Sequence, residues 1–118
     1  MKILVIDDDC VVVESCRRIL EAEGFRVDAA NSVARAEQIL KNREFDLVLT
    51  DIKMPDRDGF DMIHQVKAIQ PDQPVLMMTG YLTEKTIEQG RRAGADDFIG
   101  KPFTPEELVA AVNRFLDE

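Results

Sequence analysis

Short apolar runs alternate with longer stretches of helical periodicity along the whole chain. Residues 3–6, 25–29, 47–51, 75–78 and 96–99 read as strands, the second weaker than the others. In the third, Leu47, Val48 and Leu49 form an unbroken apolar run, the mark of a strand buried on both faces of a parallel sheet. Between the strands, apolar positions recur at three- and four-residue spacing. Val12, Cys16, Ile19, Leu20 and Glu23 follow Asp9, with Gly24 as a stop; Val33, Ala36, Ile39 and Leu40 follow Ser32 as N-cap. Phe60, Ile63, Val66 and Lys67 give a third helix that ends before Pro71. Thr104 as N-cap and Pro105 at the first helical position open a last helix that turns Leu108, Val112 and Phe115 inward. The fourth helix, over residues 83–94, has only Ile87 and Ala93 as an apolar face, and Gly90 costs about 1 kcal/mol of helix propensity against Ala. It is expected to be the loosest of the five. Strand and helix alternating in this way, with right-handed crossovers, predict a doubly wound α/β fold: a five-stranded parallel sheet with helices on both faces, in three layers.

Composition narrows this. At 118 residues, with no repeat, low-complexity tract or linker, residues 1–118 are expected to be one domain. A hydrophobic share of 45% fits a soluble globular chain. Lys and Arg total 15 against 23 Asp and Glu, a net charge of -8, which repels nucleic acid and anionic membrane surfaces. Direct nucleic-acid or membrane binding is therefore not expected. The apolar run after Met1-Lys2 is cut short by Asp7, Asp8 and Asp9, which does not make a signal peptide, and no run approaches the ~20 apolar residues of a membrane span. A cytoplasmic location is the expectation. Cys10 and Cys16 share one predicted helix with no His or Cys cluster nearby, which suits packing thiols rather than a disulfide or zinc site.

The strand ends carry the chemistry. Ligands of open parallel sheets gather beyond the carboxyl ends of the strands. Asp7, Asp8 and Asp9 end the first strand, Asp51 the third, Thr79 the fourth and Lys101 the fifth, all at one edge. Pro55 and Gly59 mark a tight loop after Asp51. Asp51 could merely cap the next helix, but Asp56 and Asp58 lie nearer to it in sequence. Clustered carboxylates repel by about 4 kcal/mol for a pair about 4 Å apart at an effective dielectric near 20, unless a cation sits among them. Hard oxygen ligands suit Mg²⁺. Carboxylates around a metal beside a lysine are what phosphoryl transfer needs, with Asp51 as nucleophile.

Asp7-Asp8, Asp51 with Met54-Pro55 and Gly59 behind it, Thr79-Gly80 and Lys101-Pro102-Phe103 together resemble the motif set of the response-regulator receiver domain, over essentially the whole chain. The resemblance implies a (βα)5 flavodoxin-like fold and an Asp51 that accepts a phosphoryl group from a histidine kinase or phosphotransfer protein. It implies Mg²⁺ held by Asp8, Asp51 and the Lys53 backbone carbonyl, with Asp7 acting through water. Lys101 would pair with phosphoryl oxygens and Thr79 would hydrogen-bond one of them. The family's aromatic switch position falls on Phe98, without the hydroxyl of the commoner tyrosine, so switching would rest on packing. Lys53 and Tyr81 fall where the family flanks the path of a hydrolytic water, which implies slow loss of the phosphoryl group. The Lys101-Pro102 bond would be cis. An output domain or a homodimer would use the fourth helix, fifth strand and fifth helix.

A haloacid-dehalogenase-type phosphatase is the alternative, with Asp7 as its nucleophile. Asp7-Asp8-Asp9-Cys10-Val11 meets its first motif, but Asp96-Asp97 precedes Lys101 rather than following it, and Asp51 has no role. An unphosphorylated interaction module would not need every pocket residue. His64 reads as a surface residue, Met62, Met77 and Met78 as core filler, and Lys85, Arg91 and Arg92 as either a partner-reading patch or a solvated face.

Overall fold

The computed structural model describes residues 1–54 and 57–116, and among these the side chains of all but 53, 54, 57–59 and 116. In chain order the elements are β1 (Lys2–Ile6), α1 (Cys10–Ala22), β2 (Arg26–Ala30), α2 (Val33–Asn42), β3 (Leu47–Asp51), β4 (Lys53–Met54), β5 (Arg57–Asp58), α3 (Gly59–Ile69), β6 (Val75–Thr79), α4 (Glu84–Ala93), β7 (Asp97–Gly100) and α5 (Pro105–Leu116). The main sheet runs β2-β1-β3-β6-β7 with every neighbouring pair parallel. Strand order reverses between β1 and β3, and a crevice opens at such a point beyond the strand ends.

Two apolar clusters sandwich the sheet, and the period-two alternation of the strands assigns residues between them. Ile3, Val5, Leu47, Leu49, Leu76 and Met78 pack against Cys16 and Leu20 of α1 and Leu108 and Val112 of α5. Leu4, Ile6, Val48, Val75 and Met77 face the other way, onto Val33 and Ile39 of α2, Ile63 and Val66 of α3 and Ala93 of α4. Both central strands, β3 and β6, are buried at every position. Each large apolar side chain buried there contributes roughly 1.5–3 kcal/mol, and slipping register by one residue would turn all of them to the wrong face. Asp51 and Thr79, the last residues of these strands, are therefore fixed in depth.

Local signals act as the sequence suggests at most helix ends. The Ser32 hydroxyl accepts from the Arg35 amide at 3.1 Å. Thr104 and Glu107 form a reciprocal capping box, the Glu107 amide donating to the Thr104 hydroxyl at 3.1 Å and the Thr104 amide to the Glu107 carboxylate at 3.0 Å. Gly94 ends α4 with φ +117, a left-handed turn that suits glycine.

Several expectations need correction. The second strand starts at Arg26, because the Phe25 amide is used to close α1, donating to the Leu20 carbonyl at 3.2 Å. Glu23 is no part of the apolar stripe of α1; it is the exposed C-cap. The loop after Asp51 contains a small antiparallel hairpin, β4 against β5, and Gly59 is the first residue of α3 rather than part of the loop. The hairpin separates Asp51 from α3, so Asp51 is not that helix's cap.

Candidate functional site

The crevice beyond β1 and β3 gathers carboxylates. Asp7 and Asp51 are buried and Asp8 is exposed, and one carboxylate oxygen from each lies within 4.8 Å of the others. β1 hands Asp7 to the site directly: its amide still pairs with the Ala30 carbonyl of β2 at 3.1 Å, so the strand geometry runs on past Ile6. Asp51 closes β3, and its Oδ1 accepts from the Ile52 amide at 2.7 Å, which fixes the carboxylate's orientation. The third aspartate, Asp9, is turned away to another task. It caps α1, its Oδ1 accepting from the Val11 amide at 2.9 Å, while its own amide donates to Asp7 Oδ1 at 2.9 Å. The rule that favours Asp just before a helix would have singled it out.

Lys101, just past β7, reaches across the sheet edge. Its Nζ donates to Asp7 Oδ2 at 2.7 Å and to Asp51 Oδ2 at 3.2 Å. Its peptide bond to Pro102 is cis, and its amide is anchored on the Thr79 carbonyl at 2.7 Å. Thr79 is buried, and its hydroxyl accepts from the Tyr81 amide at 2.9 Å, which ties the start of the β6–α4 loop to the site. Tyr81 itself is exposed. The Lys53 backbone lies in β4, and its side chain lies outside the described residues.

Electrostatics set the site apart from an ordinary salt bridge. Burial is the largest influence on Asp7 and holds its carboxyl above the ordinary value of 3.8, although hydrogen bonds from Lys101 and the Asp9 amide pull the other way. Burial is also the largest single influence on Lys101 and works to lower its pKa; Asp7 and Asp51 together outweigh it and leave the ammonium above 10.5. Lys101 thus stays charged, yet one ammonium does not neutralise three carboxylates. All-oxygen donors with surplus negative charge are what a Mg²⁺ ion requires, so the residues present fit that ion.

Outside this cluster, Phe98 of β7 is half-buried against the α2–α4 side of the core, and the Arg91 guanidinium lies over its ring, 5.5 Å from the centroid. His64 is exposed on α3, and Met62, Met77 and Met78 are fully buried. Both cysteines are free; burial pushes the Cys16 thiol up to about 12, which leaves it unreactive at neutral pH. Among the described residues, no helix is long and apolar enough to cross a membrane.

Comparison with known proteins agrees with this layout. Residues 3–113 match the family described as Response regulator receiver domain. Over 116 residues the chain is 37% identical to the response regulator MprA of Mycobacterium sp. (strain KMS), a match covering 98% of this chain and 50% of that protein. The chain spans about half the length of the curated relatives it matches. Among solved structures, a two-component response regulator from Clostridium difficile superposes with a TM-score of 0.95 at 27% identity, covering 100% of this chain and 97% of that one. A receiver domain protein from Methanospirillum hungatei JF-1 does so at 0.93 and 34% identity, covering 98% and 93%.

Proposed function

Because this chain belongs to the response regulator receiver domain family of two-component systems, we propose that residues 1–118 form a phosphoacceptor domain in which Asp51 takes a phosphoryl group from the phosphohistidine of a kinase or phosphotransfer protein. One observation carries the reading: the Lys101 ammonium lies between two buried strand-end carboxylates, within hydrogen-bond reach of both. In the transfer a carboxylate oxygen of Asp51 forms a bond to phosphorus as the phosphorus–nitrogen bond of the donor breaks. Ile52's amide donates to Asp51 Oδ1, and Oδ2, which accepts from Lys101, is the oxygen assigned as the attacking atom. Lys101 stabilises charge on the transferring oxygens, as preorganised cations do in phosphoryl transfer. Its second partner, Asp7, keeps it in place when Asp51 is consumed. Asp8, Asp51 and the Lys53 carbonyl would hold Mg²⁺, with Asp7 through water, and the ion when bound supplies the positive charge that the carboxylates lack.

Thr79 then changes partners. Its hydroxyl can leave the Tyr81 amide and donate to a phosphoryl oxygen, which draws the loop after β6 inward and opens room for Phe98 to turn from half-buried to buried. The face made by α4, β7 and α5 carries the change to an output domain or a second copy. Exposed Tyr81 and the Lys53 side chain would shield the phosphoaspartate from water and slow its loss. A phosphatase with Asp7 as nucleophile fits less well, since Asp7 is fully buried under Lys101 while Asp51 stands beside it with no task.

The test is labelling with a small acyl phosphate. One phosphoryl group per chain, dependent on Mg²⁺ and absent in Asp51→Asn, is the expected result. Continuous hydrolysis of an aryl phosphate that survives Asp51→Asn and stops in Asp7→Asn would make the phosphatase reading right.

A further inference from the structure

Of all the helices, α4 was expected to hold the sheet most weakly, and Gly90 was its apparent defect. The structure gives Gly90 a different meaning. It is buried, and a Cβ built on it would lie 2.7 Å from Met77 Sδ, 2.9 Å from Met77 Cε and 3.0 Å from Phe98 Cε1. The missing side chain is what lets the helix backbone rest directly on β6 and β7, where Met77 and Phe98 are register partners. One residue on, the Arg91 guanidinium covers the Phe98 ring from the solvent side. The neighbouring Arg92 is used otherwise, bonded to Glu88 at 2.7 Å one turn back. The ring that the proposed switch must move is thus held by two consecutive residues of one helix.

We propose that Gly90 and Arg91 act together as positioning residues for Phe98, Gly90 by leaving room for the ring where it now lies and Arg91 by covering it from the solvent side. The inference rests on the phosphoacceptor reading of Asp51. Its physical basis is that the exposed guanidinium can stay over the ring only while the ring remains half-buried. Following it inward would strip the cation of water, at a cost well above the attraction between them. The contact therefore favours the unswitched position. A methyl group at residue 90 would press on the ring where it now lies, 3.0 Å from Cε1, and so disfavours the same position. Met77 ends in a flexible thioether that can give way, so Gly90→Ala is expected to fold.

Two measurements on the 118-residue chain separate this from a structural role. The first is the apparent affinity for beryllium fluoride with Mg²⁺, a phosphoryl mimic. An exposed cation–π contact is worth a factor of roughly two to five, so Arg91→Ala should bind the mimic more tightly by about that much. Arg91→Lys should fall between it and the parent, Arg92→Ala should match the parent, and Gly90→Ala, which crowds the ring where it lies, should also bind more tightly. The second is the chemical shift of the Met77 methyl group without the mimic, which senses the neighbouring ring; it should move in Arg91→Ala and stay in Arg92→Ala. Equal affinities in Arg91→Ala and Arg92→Ala, or weaker binding in Gly90→Ala, would overturn the proposal. If the parent fails to bind the mimic, or Asp51→Asn still binds it, the phosphoacceptor reading itself falls, and the Met77 shift still decides whether Arg91 holds the ring.

Discussion

The sheet carries a paired lysine and aspartate at each end, and the two ends differ in burial and in charge balance. At the end where β6 begins, Lys67 Nζ donates to the Gln73 carbonyl at 2.6 Å and to Asp96 Oδ2 at 2.8 Å, and Asp96 also accepts from the Val75 amide at 2.8 Å. One cation meets one carboxylate, and the remaining partners are backbone groups that needed bonds in any case. This end is complete as it stands and joins α3 to the β6 and β7 strands. At the opposite end Lys101 faces Asp7 and Asp51, with Asp8 beside them, so charge of one sign is left over. An arrangement left short of positive charge in the folded protein is one that a cation or a reacting phosphoryl–metal pair can complete. Similar residues thus make a staple at one end and a candidate reaction centre at the other, and the difference lies in the count of carboxylates rather than in the lysine.

The two ends should differ most in metal binding. Asp8→Asn removes one full charge from the cluster, worth a few kcal/mol at about 4 Å, so Mg²⁺ affinity should fall at least about tenfold by titration while the variant folds stably. Lys67→Ala should leave it unchanged. The order reverses for folding stability without metal. Lys67→Ala takes the cation from Asp96, which keeps only the Val75 amide, and the ammonium donor from the Gln73 carbonyl; with Asp96 partly in solvent the loss should be about 1–2 kcal/mol in denaturant unfolding. Asp7→Asn should instead stabilise the metal-free chain at neutral pH, because burial makes the charged form of Asp7 costly. The sign follows from a folded pKa raised above 3.8: the cost is present at pH above the raised value and vanishes below 3.8, where Asp7 is protonated in both states. The advantage of Asp7→Asn should accordingly shrink to nothing in unfolding curves taken below that pH. The smallest effect concerns alkali. Lys101 has its folded pKa raised above 10.5, so its contribution is whole below 10.5 and fades as pH climbs through the folded value; Lys101→Met should lack that alkaline limb of the stability curve.

How much of this was legible in the sequence depended on distance along the chain. The strands announced themselves by apolar runs, and the site residues by falling just after them, because a parallel sheet collects its strand ends at one edge. Ser32 and Thr104 were readable as caps because their partners are three residues away. The β4–β5 hairpin was not, since strands of two residues are too short to show alternation. Asp9 was grouped with its neighbours in the pocket although its place before α1 pointed to capping. The Lys67–Asp96 staple joins residues from different units of the fold, and no local pattern announces such a pair. Gly90 was read by helix propensity alone, whereas its value comes from the close approach of Met77 and Phe98, which only the packed structure reveals.

If the unbalanced end of the sheet is a reaction centre, it reacts at one carboxylate. After exposure to a small acyl phosphate with Mg²⁺, borohydride reduction converts an aspartyl phosphate to homoserine, and peptide mass spectrometry locates it. A single modified position, Asp51, is expected, reached equally well in Lys67→Ala and lost in Asp51→Asn. Modification at Asp7 or Asp8 in the parent chain, or an undiminished signal in Asp51→Asn, would contradict it.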